Sequence, residues 1–271
     1  MPELPEVQTV VSDLNEQILQ KKILSCRILR PSIVKNETEA FIQYTVGKRF
    51  IKVERRGKFL LFYLSPSGYL VGHLRMTGKF IIASKFKAHH THDRLFFILE
   101  GNQKLVFNDS RCFGRLEMCE DLSKHPGLCR LGREPWDREI TAGMLRKILT
   151  KRETPIKNVL LDQSFIAGIG NIYASEILFD ARISPFRKSK TLKPKELKQL
   201  ICSMRKILTA AIEHNGTSIS DYRRVDDQAG SYQDFLKVYG KTGDSCIRCE
   251  APILKEKQSQ RSTFFCQDCQ K

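Results

Sequence analysis

Four cysteines close to the end of the chain leave little freedom for the fold of the final segment. Cys246 and Cys249 form one Cys-x2-Cys pair, Cys266 and Cys269 form a second, and sixteen residues separate the pairs. Each pair predicts a knuckle that offers two thiolates, and two knuckles together close a tetrahedral zinc site. Because four thiolates leave no open coordination position, we expect one structural Zn2+ with a hairpin between the pairs.

The other cysteines indicate the redox environment of the chain. The remaining five of the nine cysteines are scattered, at Cys26, Cys112, Cys119, Cys129 and Cys202. This usage is typical of a reducing compartment with metal-bound and buried thiols, and not of a secreted disulfide framework. A redox dithiol is the alternative for the paired cysteines, but no thioredoxin-like context accompanies them.

The charge of the chain predicts a polyanionic partner. The 271 residues carry a formal net charge of +16, so either nucleic acid or an anionic membrane surface is expected to bind them. No run approaches the eighteen consecutive apolar residues of a membrane span, and the beginning lacks a signal-peptide pattern. We therefore predict an intracellular protein that meets nucleic acid, with no membrane association.

Hydrophobic patterning divides the chain into a β-rich first half and a helical second half. One amphipathic helix is predicted from Val7 to about Gln20, and strand-like runs broken by turn signals follow as far as Glu120. These runs are Phe50–Val53, Phe59–Leu64, Tyr69–Leu74, Lys79–Ile82, Leu95–Leu99, Leu105–Phe107 and Arg115–Met118. The pattern predicts an all-β sandwich or barrel with the first helix packed on it.

Beyond residue 131 the pattern becomes helical. Helices are predicted at Ala142–Thr150, Pro155–Asp162, Asn171–Ala181 and Pro194–Asn215. A polar stretch from Gly216 to Tyr232 is long for a connection inside a compact domain, which is typical of a lid or substrate cover. We predict an α+β multidomain protein with domains at residues 1–131, 132–240 and 241–271, and with the long loop at about 217–232.

The first residues suggest a covalent chemistry. A Met before a small residue is normally trimmed, which would leave Pro2 with a secondary amine that is partly unprotonated near neutral pH. Such an amine attacks an aldehydic carbon to form an iminium ion, and Glu3 and Glu6 could move protons beside it. A helix start at Pro5 with Glu6 in its first turn explains those two residues equally, but not Pro2 and Glu3.

Motifs along the whole chain resemble bacterial formamidopyrimidine-DNA glycosylases. They begin with Pro2-Glu3-Leu4-Pro5-Glu6-Val7 and continue in the family's order with Arg55-Arg56-Gly57-Lys58, His73-Leu74-Arg75-Met76-Thr77-Gly78, Arg111-Cys112-Phe113-Gly114, Leu131-Gly132-Arg133-Glu134-Pro135, Gly168-Ile169-Gly170-Asn171-Ile172-Tyr173-Ala174-Ser175-Glu176, Val238-Tyr239-Gly240 and Gln260-Arg261-Ser262-Thr263-Phe264-Phe265-Cys266. The resemblance implies an N-terminal β-sandwich with a leading helix, and a C-terminal helix–two-turn–helix domain with a zinc-finger hairpin. It also implies excision of oxidised purines followed by β,δ-elimination at the abasic site.

The resemblance assigns expected catalytic roles. Pro2 would attack C1′ of the damaged nucleotide, Glu3 would protonate the ring oxygen and Glu6 would assist. Lys58 would serve as a proton donor in β-elimination and Arg261 in δ-elimination. From the residues alone, Lys58 is equally explained as one more cation in a basic strand, and Arg261 near the hairpin tip as a solvated side chain or a phosphate contact.

Further residues are expected to contact DNA. Chemistry at C1′ requires the nucleotide to leave the stack, and Met76, Arg111 and Phe113 match the family's residues that fill the vacated space. As single residues, Met76 and Phe113 could instead belong to a core. Asn171 is predicted to cap the helix that follows it, and phosphate contacts are expected by family position from His73, His90, Arg152 and Lys157. His90 lies among His89 and His92, which leaves metal binding as an alternative.

The expected partner is double-stranded DNA that contains oxidised bases or abasic sites, bound by a monomer in the bacterial cytoplasm. Ser110 and Cys112 replace a Pro and a basic residue that are frequent in the family. The segment Asp221–Val225, inside the loop expected over the extruded purine, is more basic than usual. Two alternatives stay open: an endonuclease VIII-type enzyme for oxidised pyrimidines, and a non-catalytic zinc-containing DNA-binding protein.

Overall fold

The computed structural model describes residues 1–219 and 222–271, so Asp221 of the predicted loop lies outside the described residues. The chain forms two compact units. The first comprises residues 1–129 and 214–233, and the second comprises residues 130–213 and 234–271. No helix in the described part of the chain has the length and apolar character needed to cross a bilayer.

Two antiparallel sheets of four strands build the first unit. The strands are β1 (Ile23–Ile28), β2 (Arg49–Arg56), β3 (Phe59–Ser65), β4 (Tyr69–His73), β5 (Lys79–Ser84), β6 (Asp93–Leu99), β7 (Gln103–Asn108) and β8 (Arg115–Cys119). One sheet has the order β1-β6-β7-β5 and the other has the order β2-β3-β4-β8. These sheets and the leading helix correspond to the sandwich that the sequence predicts.

The core of the first unit is apolar and rich in phenylalanine. Leu60, Phe62 and Leu64 alternate along β3, so all three side chains point to the same buried face. Phe62 packs against Phe50 and Phe80 with ring centroids 5.7 and 5.4 Å apart. Burial of each such side chain contributes roughly 1.5–3 kcal/mol to the free energy of unfolding.

Helix α1 (Leu4–Ile18) packs on these sheets through apolar residues at helical spacing. Val7, Val10, Leu14 and Ile18 are all buried in the core. Asn15 fixes the register of the helix on β2, because its amide donates to Val53 O at 2.8 Å and accepts from Val53 N at 2.9 Å. These two hydrogen bonds fix α1 along β2, and they thereby fix the position of the first residues of the chain.

Residues 214–233 belong to the first unit, whereas the sequence pattern places them in the domain predicted at residues 132–240. We call residues 214–219 and 222–233 the docked segment. Tyr222 and Val225 are 7% and 2% exposed and are part of the first unit's core. A loop pattern without periodicity cannot predict this packing, because Tyr222 and Val225 occur among polar residues.

Helices form most of the second unit. They are α4 (Ala142–Leu149), α5 (Ile156–Leu161), α6 (Asn171–Asp180) and α7 (Pro194–Glu213). Glu176 on α6 is 1% exposed, and its carboxylate accepts hydrogen bonds from the backbone N–H groups of Lys237, Val238 and Tyr239 at 2.8–2.9 Å. Burial raises the pKa of Glu176 above its ordinary value.

The cysteine module shares the core of this unit, whereas the sequence analysis treats residues 241–271 as a separate domain. Its hairpin pairs β9 (Leu254–Gln258) with β10 (Arg261–Phe265). Phe264 packs in one cluster with Phe179 and Val238. The module is too small to bury these rings alone, so it packs against the helices.

Several short elements lie where the sequence analysis predicts nothing. Strand β1, helix α2 (Thr38–Thr45) and helix α3 (Pro126–Cys129) are the clearest cases. Only Phe41 and Thr45 of α2 are buried, so the helix lacks the repeated apolar positions that a pattern search detects.

We predict that Glu176→Ala lowers the free energy of unfolding of the second unit by about 3 kcal/mol. The change leaves three N–H groups, one buried and two partly buried, without this acceptor. Urea denaturation followed by the fluorescence of Trp136, the chain's one tryptophan, measures this loss. Glu213→Ala, at an exposed position on α7, is the control. Equal curves for the two variants would contradict the role given to Glu176.

Candidate functional site

The N-terminal corner of the first unit is buried and tightly hydrogen-bonded. Pro2 is buried, and Glu3, at the N-cap of α1, is 3% exposed. The Glu6 carboxylate accepts from Glu3 N through Oε2 at 2.7 Å and from Thr217 N through Oε1 at 2.7 Å. Glu6 is thus committed to holding backbone groups, which favours a positioning role over the proton transfer that the sequence analysis expects of it.

Gly216 is the residue that allows the docked segment to approach Glu6. Its φ is +77°, and a Cβ at this position would lie 2.8 Å from Glu6 Oε1 and 2.9 Å from Glu6 Cγ. A side chain here would therefore meet both a strained backbone and the carboxylate.

Lys58 and His73 lie near each other in the first unit. Lys58 follows Gly57, whose φ is +57°, in the turn between β2 and β3, and is 6% exposed. The adjacent Phe59 pairs with His73 across β3 and β4, and their rings meet edge-on at 4.7 Å. Burial, together with the positive charges of Arg75 and Lys58, lowers the pKa of His73 from 6.5 to about 3.

The low pKa determines what His73 can do. Its Nδ1 accepts a hydrogen bond from Arg75 N at 3.0 Å, so in the neutral ring the proton is on Nε2. His73 is therefore a neutral hydrogen-bond donor at physiological pH.

The three neighbouring histidines are used differently from one another. His90 is exposed and its backbone N–H donates to Asp93 at 2.9 Å, whereas His89 packs against Phe96 and His92 contacts Arg94. Among the described residues, the only group of potential metal ligands is the cysteine cluster. A metal site at His90 therefore has no support.

The residues expected to fill a DNA helix are exposed and do not belong to the core. Met76 is 38% exposed and Phe113 is 48% exposed. The Arg111 guanidinium lies over the Phe113 ring, 4.8 Å from its centroid. Large apolar groups held on the surface by turns are typical of binding sites and not of packing.

Asp109, which is not among the predicted site residues, connects the two turns that carry these residues. It is 0% exposed, and its Oδ2 accepts from Gly114 N at 2.7 Å while its Oδ1 accepts from Arg111 N at 3.1 Å. The Thr77 hydroxyl also donates to Oδ1. The sequence does contain one signal for this role. An Asp that directly follows an apolar strand commonly organises a turn through its carboxylate.

In the second unit, Lys157, an expected phosphate contact, is buried against the hairpin of the cysteine module. It is 0% exposed, and its ammonium donates to Ser262 O at 3.0 Å and to Thr263 Oγ1 at 2.7 Å. The side chain connects α5 to β10 of the cysteine module. Because a buried ammonium is costly to leave without acceptors, this geometry favours a role in positioning the hairpin.

Asn171 also binds the hairpin instead of capping its own helix. The N-cap of α6 is Gly170, and Asn171 is the first helical residue. Its Nδ2 donates to Ser262 O at 2.9 Å, so the Ser262 carbonyl accepts from two side chains. The Asn171 Oδ1 atom is buried and has no hydrogen-bond partner in the described part of the chain.

Arg261 and Arg152 are accessible. Arg261 is exposed at the start of β10, directly after the turn residues Ser259 and Gln260, whose φ values are +47° and +62°. Arg152 lies over the ring of Phe165 at 5.6 Å and within 3.5 Å of an Asp162 oxygen. Both guanidinium groups can therefore reach an anion from the surface.

The four cysteine sulfurs form one cluster. All four lie within 4.8 Å of one another, and the Cys246–Cys269 and Cys249–Cys266 separations are 3.8 and 3.5 Å. Four sulfurs around Zn2+ at bond lengths of about 2.3 Å are expected roughly 3.8 Å apart. The cluster fits one tetrahedral zinc ion, as the sequence predicts.

Three family models match successive parts of the chain. The Formamidopyrimidine-DNA glycosylase N-terminal domain matches residues 1–116, and the Formamidopyrimidine-DNA glycosylase H2TH domain matches residues 131–223. A zinc finger found in FPG and IleRS matches residues 243–271. These matches follow the order of the β-rich, helical and cysteine-containing parts.

Similar proteins align over their whole length. Formamidopyrimidine-DNA glycosylases from Carboxydothermus hydrogenoformans and Pelotomaculum thermopropionicum are 44% and 40% identical, with 100% of this chain and at least 99% of each relative covered. A crystal structure of a Lactococcus lactis FPG point mutant with Fapy-dG-containing DNA has a TM-score of 0.94 at 36% identity, with both chains fully covered. A complex of Lactococcus lactis Fpg with abasic-site DNA has a TM-score of 0.93 at 35% identity, over 99% of both chains.

We predict that Asp109→Asn loosens both turns around Met76 and Phe113. An amide cannot accept at both of its heavy atoms, so at least one donor among Thr77, Arg111 and Gly114 loses its partner. Losing such a bond costs about 1–3 kcal/mol, which should accelerate amide exchange at Gly114 roughly tenfold or more. Hydrogen exchange measured by NMR tests this, with the exposed Ser110→Ala as control. Unchanged exchange at Gly114 would refute the assignment.

His73 generates a prediction about acid stability. Its folded pKa is lowered to about 3 from 6.5, so between these values the unfolded state binds more protons and stability falls as the pH drops. His73→Gln should flatten that part of the stability curve. Urea denaturation at several pH values between 7 and 4 measures the slope, with the exposed His90→Gln as control. A slope that stays the same in His73→Gln would contradict a depressed pKa.

Proposed function

The chain belongs to the formamidopyrimidine-DNA glycosylase family, and from this premise we propose that it is a bifunctional enzyme that excises oxidised purines and then cleaves the DNA strand. The proposed substrates are 8-oxoguanine and formamidopyrimidines in double-stranded DNA, and abasic sites. The observation that supports the proposal most is the burial of Pro2 and Glu3 at the N-terminal corner. Both residues lie at the start of a helix that the Asn15 hydrogen bond fixes on the β-sheets.

The proposed reaction begins at Pro2. After removal of Met1, its secondary amine attacks C1′, the glycosidic C–N bond breaks and the base leaves with a proton. Glu3 protonates the ring oxygen as the sugar opens, which gives an iminium ion linked to the protein. The iminium draws electrons from C2′, so loss of a C2′ proton expels the 3′ phosphate, and a second elimination expels the 5′ phosphate.

Lys58 and Arg261 are the proposed proton carriers of the elimination steps. Lys58 is held in the turn after Gly57, close enough to lower the pKa of His73 through its charge. Arg261 is exposed, and the Ser262 carbonyl that follows it is bound by Lys157 and Asn171. We propose that Lys157 supports catalysis by positioning this hairpin and not by contacting phosphate.

DNA binding is assigned to side chains on both units. Met76, Arg111 and Phe113 are proposed to occupy the space that the extruded nucleotide leaves, with Arg111 bonded to the orphaned base. His73 is proposed to donate to a phosphate as a neutral ring, whereas Arg152 would bind through charge. His90 and Asn171 remain proposed DNA contacts, the first at an exposed position and the second beside the hairpin.

Zinc supports the hairpin and not the chemistry. Four cysteine ligands would saturate the ion, so it would supply only the fold of the segment that carries Arg261. We propose that the enzyme acts as a monomer in the bacterial cytoplasm, where chromosomal DNA is accessible.

Borohydride trapping tests this function. With a duplex containing 8-oxoguanine, the enzyme should form a covalent protein–DNA adduct, because borohydride reduces the iminium. Pro2→Ala should lower excision by orders of magnitude and leave DNA binding largely intact, since the ring nitrogen acts in the covalent step only.

The outcomes separate the proposed enzyme from its alternatives. A faster reaction with an oxidised-pyrimidine duplex would indicate the endonuclease VIII specificity instead. Absence of an adduct on either duplex would indicate a DNA-binding protein without catalysis. Equal loss of binding and excision in Pro2→Ala would contradict the covalent role.

A further inference from the structure

Two acidic residues on one face of α1 hold the docked segment. Glu6 and Asp13 are seven residues apart, so they lie two turns apart on the same face, separated by about 10.5 Å. Glu6 accepts from Thr217 N, and Asp13 accepts from Arg224 and from Val225 N. The docked segment is therefore fastened along the helix at two points.

Asp13 and Arg224 form a bidentate ion pair. Arg224 Nη2 lies 2.8 Å from Asp13 Oδ1 and Arg224 Nε lies 3.2 Å from Oδ2, while Val225 N lies 3.3 Å from Oδ2. The two side chains are only 24% and 10% exposed. Such a bidentate, partly buried pair is stronger and more directional than an ordinary surface ion pair.

Apolar packing continues from this contact. Val225 enters the core and its carbonyl accepts from Ile82 N at 3.4 Å. The Tyr222 hydroxyl lies 3.3 Å from Asn215 O and 3.4 Å from Glu6 O. Arg224 lies in the chain between Tyr222 and Val225, which are both buried. Its guanidinium is therefore held close to the protein, where a carboxylate is needed to neutralise its charge.

We propose that Asp13 and Arg224 are positioning residues for recognition of the damaged base. The inference rests on the proposed function, in which the loop that contains the docked segment contacts the extruded purine. Glu3 caps the helix that carries Asp13 ten residues later, so fixing Arg224 to Asp13 fixes the docked segment relative to the reacting amine of Pro2. This role also explains why the segment is unusually basic, because Arg224 binds a carboxylate of the protein itself and not the DNA.

Two activities of one enzyme distinguish positioning from general stability. Excision of a base needs the base to be held, whereas cleavage of a ready-made abasic site has no base to hold. Asp13→Asn and Arg224→Met should each slow 8-oxoguanine excision roughly tenfold or more, the effect of about 1.4 kcal/mol. Abasic-site cleavage should stay within about twofold of the parent rate. Single-turnover assays on both duplexes, with the full-length zinc-loaded protein, measure these rates.

Matched variants control for folding and charge. Asp227→Asn breaks another ion pair of the docked segment, with Lys79 at 2.9 Å, in which the Asp227 side chain is 66% exposed, so it should leave both rates nearly unchanged. Arg224→Lys should restore part of the excision rate, and the double variant Asp13→Asn/Arg224→Met should lose little more than either single variant. Thermal unfolding of each variant checks the fold.

The remaining outcomes overturn the inference. If both activities fall together, the pair serves stability alone, and if neither falls, it has no role in recognition. A parent enzyme that excises no damaged base at all would instead refute the proposed function on which the inference rests.

Discussion

A single carboxylate, that of Glu6, joins the start of α1 to the docked segment, and the geometry of the N-terminal corner depends on it. It is 1% exposed, and each oxygen accepts a backbone N–H, one from Glu3 and one from Thr217. The position near a helix N-terminus also favours its negative charge. Because these bonds leave Glu6 little freedom, they orient Glu3 and exclude any side chain at Gly216.

Elsewhere in the molecule, too, a buried charged group fixes the position of exposed residues. Asp109 holds the turns that present Met76 and Phe113, and Lys157 holds the strand that follows Arg261. In each case the residue that would contact DNA is exposed, while the group that fixes it is fully buried. Removing such a group costs more than one hydrogen bond because the partner is left desolvated.

Sequence patterns predicted the residues with a distinctive chemistry better than those with a positioning role. The cysteine spacing predicted the sulfur cluster, and apolar alternation predicted most strands of the first unit. The Asp13–Arg224 pair could not be found in this way, because its partners are distant in sequence. For Asp109 the only signal was its place after an apolar strand, because most of its partners are backbone atoms. The burial of Lys157 could not be predicted for a related reason, since a lysine in a basic protein gives no sign that it will be buried.

The hydrogen bonds of the Ser262 carbonyl connect the zinc hairpin to the helices of the second unit. This carbonyl accepts hydrogen bonds from Lys157, on α5, and from Asn171, on α6, so the zinc hairpin supplies acceptors to a fully buried lysine. Oxidation of the thiolates, or loss of the ion, would therefore disturb hydrogen bonds that reach two helices. The hairpin is thus anchored to α5 and α6 as well as by its own strand pairing, which links the folding of the cysteine module to that of the helices.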